Sequence, residues 1–200
     1  HGMYPEDVVV AMLARRLGRP VRWNETRSES MLGLVHGRGQ EITATIGGTT
    51  DGRVLGLRTH VIQDGGAYPA VGSILPIFAK NLASGPYDIA KVDVSTVSVA
   101  TNTVPVGAYR GAGRPEAAHI IERMMDAFAA EIEMDPADVR RNNFVAPDAF
   151  PYTNASGTTM DSGNYPGALD TVMRNVDYAA LRAEQARRRD DPAAKLLGLG

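Results

Sequence analysis

The 200-residue chain contains no cysteine. This excludes a disulfide, a cysteine nucleophile, a thiolate zinc site and a cysteine-ligated iron–sulfur cluster within these residues. Long apolar runs are also missing; none approaches the ~20 residues needed to span a bilayer. No basic stretch followed by an apolar one opens the sequence, so no signal peptide is expected. With the missing cysteines, this sets the expectation of a cytoplasmic location. Charge of one sign is lacking too. The formal net charge is −2, which gives no reason to expect nucleic acid or an anionic membrane as partner. The densest charge run, Arg187-Arg188-Arg189-Asp190-Asp191, changes sign and reads as a solvated helix face. Hydrophobic residues make up 44% and charged residues 22%, the balance of a globular chain able to bury a core.

His1-Gly2-Met3-Tyr4 leads straight into a helix signal, and Leu196-Leu197-Gly198-Leu199-Gly200 stops as an apolar run. The expectation is an excerpt of a longer polypeptide. Pro5 suits a first helical position, with Glu6 and Asp7 favoured by the helix dipole. Val8, Val9, Met12, Leu13 and Leu17 follow at helical spacing, and Gly18 and Pro20 close the helix. Val21-Arg22-Trp23 reads as a short strand, with Trp23 packed at a strand edge. Glu41 to Ile46 alternates polar and apolar residues, Asp51-Gly52 is a hairpin signal, and Val54 to Ile62 returns as a strand ended by Gly65-Gly66.

Leu75 to Leu82 reads as a short helix. Lys91 to Ala100 carries valine on both faces and reads as a central strand. A loop over residues 101–114 precedes a long helix opened by Pro115 and buried through Ile121, Met125, Phe128 and Ile132. Asp135-Pro136 starts another helix. A last helical stretch spans about 165 to 189, with a break near Asn175 and Asp177. Strands and helices mix without strict alternation, so the fold class is α+β, a mixed sheet with packed helices.

The chemistry concentrates in Val106-Gly107-Ala108-Tyr109-Arg110-Gly111-Ala112-Gly113-Arg114-Pro115-Glu116. Small residues here let backbone approach a ligand closely. The following helix aims unpaired N–H groups back at the loop, and Arg110 and Arg114 add planar donor forks. The pattern describes a site for an anionic or oxygen-rich ligand. Gly-rich strand-to-helix loops are also common as plain turns, and neither nucleotide fingerprint is matched. Without a resemblance to lean on, two functional readings stand: a phosphate- or nucleotide-binding module built on residues 107–113, and a domain serving subunit assembly.

Other residues read as structural. His36, beside Gly37 and Arg38, suggests a hydrogen-bonded loop. His60 lies in a strand, His1 is terminal, and His119 sits near the loop at second-neighbour distance. The four histidines lack metal-ligand spacing. Glu25 and Glu29 around Thr26-Arg27 read as a helix-start cluster with local ion pairs. Met124 and Met125 read as core filler. Arg114 is open to binding a phosphate of the ligand or to pairing with Glu116 or Glu122.

Ala108-Tyr109-Arg110-Gly111-Ala112-Gly113-Arg114-Pro115-Glu116 resembles the signature loop of molybdenum hydroxylase large subunits, the family of xanthine dehydrogenase, aldehyde oxidase and carbon monoxide dehydrogenase. Similar segments run through the chain in order: Leu17-Gly18-Arg19-Pro20-Val21-Arg22-Trp23, Thr26-Arg27-Ser28-Glu29, His36-Gly37-Arg38, Asp64-Gly65-Gly66-Ala67-Tyr68, Asp135-Pro136, Arg140-Arg141-Asn142-Asn143 and Asp161-Ser162-Gly163-Asn164-Tyr165. The resemblance implies a molybdopterin-binding domain. Residues 1–145 would form its first lobe, and residues 146–200 a connecting helical segment leading into the second. A Gly-Gly-Phe-Gly cofactor loop should lie before His1.

By the same resemblance, Ala108, Tyr109, Arg110, Gly111, Ala112 and Gly113 bind the molybdenum–molybdopterin cofactor, in its plain or cytosine dinucleotide form. No residue ligates the metal directly. Carbon monoxide dehydrogenases carry a copper-holding cysteine where this chain has Gly111. Xanthine dehydrogenases carry a purine-stacking phenylalanine where it has Ala112, and their purine-gripping arginine falls, counting back from Tyr87, near Phe78. Phe78 and Ala112 would thus line a substrate pocket suited to an aldehyde or an aromatic N-heterocycle. The family inserts a water-derived oxygen at an electrophilic carbon with a glutamate base. That base lies downstream of these residues, so no catalytic residue falls within them and the isolated fragment is expected to be inactive. Electrons pass to iron–sulfur clusters and FAD on partner domains or subunits of a heteromeric, dimerised complex.

Overall fold

The computed structural model describes residues 4–69 and 71–200; His1 lies outside them. The chain forms two compact units. The first comprises residues 1–43, 59–82 and 94–119, the second residues 44–58, 83–93 and 120–200. Three strands, β2 (Gln40–Gly48), β3 (Val54–Gly66) and β4 (Lys91–Ala100), form one sheet in the order β2-β3-β4.

In the first unit, α1 (Pro5–Leu17) opens with the Tyr4 N–H donating to the Asp7 carboxylate at 3.1 Å and closes on Gly18 at φ 63°. None of its residues is buried. Thr26 and Glu29 form a reciprocal cap on α2 (Arg27–Gly33). The cluster does start a helix, and this cap, rather than the expected ion pairs, accounts for Glu29. The Thr26 N–H is the main reason the Glu29 carboxyl titrates below its ordinary range. A two-residue strand β1 (His36–Gly37) pairs in parallel with β5 (Val106–Gly107). The helix α3 (Leu75–Asn81) buries Leu75, Pro76 and Ala79.

Asp64 fastens the end of β3 within this unit. Its carboxylate accepts from the Thr101 hydroxyl at 2.6 Å, the Gly66 N–H at 2.8 Å and the Thr103 hydroxyl at 3.1 Å. The Thr101 hydroxyl and the Gly66 N–H hold its titration below the usual Asp range. The first turns of α4 (Arg114–Glu131) complete the unit.

In the second unit the buried side chains include Val54, Tyr87, Ile89, Ile121, Met125, Phe128, Val139 and Val145. Of the α4 positions read as buried, Ile121, Met125 and Phe128 are, whereas Ile132 is half-buried and lies just past the helix; Met124 is partly exposed. The helix α5 (Pro136–Asn143) is capped by Asp135, whose side chain accepts from the Ala137 N–H at 2.8 Å. Asn143 is fully buried and its amide is satisfied: it donates to the Gly52 and Val139 carbonyls at 2.7 Å each and accepts from the Val54 N–H at 2.8 Å. That fastens the 49–53 turn to α5. Tyr87 stacks on Phe144 at 5.3 Å and donates to Glu122, which also takes the Arg140 guanidinium at 2.7 Å. Burial, reinforced by the Glu122 charge, drives the Tyr87 phenol far above its ordinary titration. A short hairpin of β6 (Tyr152–Thr153) and β7 (Thr159–Met160) leads to α6 (Tyr165–Asn175) and α7 (Tyr178–Asp190), separated at Val176 and Asp177.

Two expectations are corrected. Val21-Arg22-Trp23 is not a strand, and Trp23 is 53% exposed rather than packed. An extended triplet is a strand only with a ladder partner, and none of the described residues supplies one. The central strand is β3, not β4, within the sheet of described residues. The valines on both faces of β4 do not signal central burial, since Val97 and Val99 are exposed.

Candidate functional site

Residues 108–113 bridge β5 and α4 inside the first unit. The β1–β5 pairing fixes the root of this loop, with His36 opposite Val106 and Gly37 opposite Gly107. Gly37 has no room for a side chain: a Cβ there would lie 2.5 Å from the Tyr109 Cβ. Gly111, Ala112 and Gly113 then take left-handed φ values of 99°, 41° and 85° in succession. Glycine adopts such values without penalty, but Ala112 does not. A non-glycine residue held there marks a conformation fixed by its surroundings.

Two turns shape the loop. The Ala112 N–H donates to the Tyr109 carbonyl at 2.9 Å, and the Arg114 N–H to the Gly111 carbonyl at 3.2 Å. Among the described residues no hydrogen bond engages the N–H groups of Gly111 and Gly113. N–H groups left free in such turns can receive anionic or oxygen-rich groups; here they are those of Gly111 and Gly113, on either side of the engaged Ala112 N–H. In the first turn of α4 the Arg114 and Ala117 N–H groups are engaged by the Gly111 and Gly113 carbonyls and Pro115 has none, so among the described residues the helix adds the Glu116 N–H alone.

The structure brings together most of the residues singled out from sequence. Tyr109 and Arg110 are exposed, Ala108, Gly111 and Ala112 are half-buried, and Gly113 is buried. Gly113 packs onto α3, where a Cβ would lie 2.8 Å from the Ala79 N, the Leu75 O and the Phe78 Cβ. Phe78, placed 35 positions earlier in the sequence, therefore stands beside the loop with its ring partly open to solvent. The Arg110 guanidinium has no hydrogen bond or ion pair among the described residues, so its charge is available.

Arg114 engages neither Glu116 nor Glu122; its guanidinium donates back to the Gly111 carbonyl at 3.3 Å. Glu122 is held by Arg140, and Glu116 by Arg38 at 2.8 Å. From the sequence, Arg38 stands out only as part of His36-Gly37-Arg38. Its guanidinium also donates to the Arg110 carbonyl at 3.1 Å and lies 5.2 Å from the Tyr109 ring centroid. A sequence hint existed in the glycines on either side of Arg38 and in an acid placed in the first turn of a helix. The contact itself joins residues 78 apart.

Each described histidine has a plain structural setting. His60 bonds the Ser95 hydroxyl at 2.7 Å, His119 is exposed, and the His36 N–H donates to the Pro105 carbonyl at 3.0 Å. Among the described residues no group of three histidine or acidic side chains could hold a metal ion. None of their helices is long and apolar enough to cross a membrane.

Comparison with known proteins places this geometry. Residues 1–144 match the model of the molybdopterin cofactor-binding domain. The chain is 41% identical, over its whole length, to a carbon monoxide dehydrogenase large chain from Hydrogenophaga pseudoflava, covering 25% of that protein. It is 32% identical over 99% of its length to a nicotine 6-hydroxylase large subunit from Paenarthrobacter nicotinovorans, covering 24% of it. Among solved structures, quinoline 2-oxidoreductase from Pseudomonas putida 86 superposes with a TM-score of 0.85 at 36% identity, over 92% of this chain and 24% of that one. The chain thus spans about a quarter of the length of the curated relatives it matches. These matches lend no support to the reading of residues 107–113 as a non-redox phosphate- or nucleotide-binding module. With a matching domain model and such relatives along its full length, the chain belongs to the molybdopterin-binding family of molybdenum hydroxylase large subunits.

Proposed function

We propose that this chain is part of the molybdopterin-binding region of an enzyme that hydroxylates an aldehyde or an aromatic N-heterocycle with water-derived oxygen. The observation that carries the reading is the run of left-handed residues at 111–113, with unengaged N–H groups at Gly111 and Gly113 and the free Arg110 guanidinium beside them. Such a donor surface fits the oxygen-rich, anionic periphery of a molybdopterin. The backbone of Tyr109 to Gly113 would hold the cofactor's oxygens, with Ala108 behind them and Arg110 supplying fixed positive charge. When bound, the molybdenum cofactor supplies the redox chemistry; the protein binds it, orients it and sets the field around it.

Gly111 stands where the resemblance places the copper-holding cysteine, and the chain has no cysteine at all. Carbon monoxide is therefore not the proposed substrate, despite the likeness to its dehydrogenases. Ala112 leaves space beside the loop, and Phe78 offers an apolar ring partly open to solvent in place of a purine-gripping arginine. Relatives named for nicotine and quinoline chemistry support a heterocycle. The glutamate base is assigned to a part of the polypeptide outside these 200 residues. Residues 1–145 act as the first cofactor-binding lobe and 146–200 as its connection onward. Iron–sulfur and FAD-carrying partners take the electrons, in a heteromeric, dimerised complex.

The test is Arg110→Ala in the full-length enzyme with its partner subunits. Losing a preorganised cationic donor lowers turnover of an N-heterocycle or aldehyde on the order of 100-fold. Subunit assembly by size-exclusion chromatography stays intact. Unchanged turnover and unchanged molybdenum content would refute the reading; loss of assembly alone would favour a scaffolding domain.

A further inference from the structure

One guanidinium, that of Arg38, reaches both the loop 108–113 and the helix that follows it. Nη1 pairs with Glu116 Oε1 at 2.8 Å, in the first turn of α4. Nη2 donates to the carbonyl oxygen of Arg110 at 3.1 Å. The same group lies 5.2 Å from the Tyr109 ring centroid, within the range of a cation–π contact. Its backbone follows β1 directly and is left-handed, at φ 66°. A long side chain gains nothing locally from that conformation, so its neighbours must impose it.

The partner is unusual as well. Glu116 is 7% exposed, and its second oxygen, Oε2, is buried without a hydrogen-bond partner among the described residues. The Arg38 side chain is 37% exposed, so the cost falls on the carboxylate: burying Glu116 with one oxygen idle offsets much of what the pair gains. The geometry suits a different purpose. Arginine's planar fork can hold a carboxylate and a carbonyl at once, which a lysine ammonium on a flexible stem does far less well. The two atoms it holds flank Gly111, Ala112 and Gly113.

We propose that Arg38, anchored on Glu116, is a positioning residue that holds the 109–113 backbone in the form that receives the cofactor. This rests on the reading of the loop as a cofactor cradle. Arg38 need not touch the cofactor. It acts by keeping the Arg110 carbonyl turned back toward β1, which leaves the Gly111 and Gly113 N–H groups unengaged. Without it the loop divides its time among other conformations, and apparent affinity falls with the fraction that remains competent.

The test uses the full-length enzyme with its partners and four variants: Arg38→Met, Arg38→Lys, the double variant Arg38→Met/Glu116→Met, and Arg110→Ala as a reference for the loop. Molybdenum content is measured by elemental analysis, and the reduced enzymes are compared by the line shape of the Mo(V) electron paramagnetic resonance signal. Arg38→Met is expected to lower molybdenum loading at limiting cofactor about tenfold and to broaden or shift the residual signal. Arg38→Lys falls between this variant and the parent. The double variant removes the buried charge and recovers the melting temperature. It recovers neither loading nor signal, which a purely structural pair would restore. Parental loading and signal in the double variant would overturn the proposal. If Arg110→Ala is impaired while every Arg38 variant behaves as parent, the clamp alone is wrong. If Arg110→Ala also behaves as parent, the cradle reading itself falls.

Discussion

Gly113→Ala should loosen the floor of the loop by an amount the structure allows to be worked out. Gly113 sits at φ 85°, where an added Cβ carries the cost of left-handed backbone, about 1–2 kcal/mol. The new atom would also lie 2.8 Å from the Ala79 N, the Leu75 O and the Phe78 Cβ. Two of these are backbone atoms of α3 and cannot swing aside, so the helix must recede by about half an ångström to reach ordinary contact. Leu75 and Ala79 are buried beneath it and resist that movement. Overpacking of this kind costs about 1–3 kcal/mol. The sum, about 2–5 kcal/mol, should appear as easier local opening. By hydrogen exchange on the full-length enzyme, amides of residues 75–82 and 107–113 should exchange roughly 30- to 5,000-fold faster, while those of α5 keep their protection. Parental exchange in the loop and α3 would show that the loop does not lean on that helix, and the reasoning from close approach would be refuted.

Ala112→Gly is the counterpart at φ 41°: relief of about 1 kcal/mol of backbone strain is offset by the added freedom of the unfolded chain, about 0.4–1 kcal/mol, so exchange in the same peptides should change less than about threefold. A loosening as large as that of Gly113→Ala would mean that the alanine methyl, not backbone geometry, holds the loop. Asp64→Asn removes a carboxylate whose folded titration is depressed by the Thr101 hydroxyl and the Gly66 N–H. A depressed carboxylate contributes stability above its unfolded value, about 3.9, that is lost as pH falls through the lower folded value. The melting-temperature difference between parent and variant should therefore stay level from about pH 5 to 8 and shrink below about pH 4; closure of the gap near neutrality would contradict the assignment.

What could be read from sequence was local. The 3.6-residue spacing of Ile121, Met125 and Phe128 defines the α4 face that is buried, and Asp135-Pro136 marks the α5 start because cap and proline act within one turn. Gly18 and the break at Asp177 were visible for the same reason. Pairing was not legible. Nothing within Val21-Arg22-Trp23 shows that it lacks a partner strand, and the valines of β4 do not reveal which strand is central. At the site, the small residues 107–113 and their arginines pointed to the ligand loop proposed above, and the family resemblance, counted back from Tyr87, pointed to Phe78, whose Cβ the structure puts beside Gly113. The destinations of the charges were hidden, because Arg38 meets Glu116 across 78 positions and Arg140, not Arg114, takes Glu122. Those pairings follow from the fold, not from any spacing along the chain.

The central claim is that residues 108–113 cradle the cofactor with Arg110 at its side. An experimental structure of the cofactor-loaded, full-length enzyme tests it most directly, through the distances from the Gly111 and Gly113 nitrogens and the Arg110 guanidinium to the nearest cofactor oxygens. Hydrogen-bond distances of about 2.7–3.2 Å at these groups are predicted. A cofactor bound elsewhere, with the loop packed against protein and Arg110 turned to bulk solvent, would contradict the account.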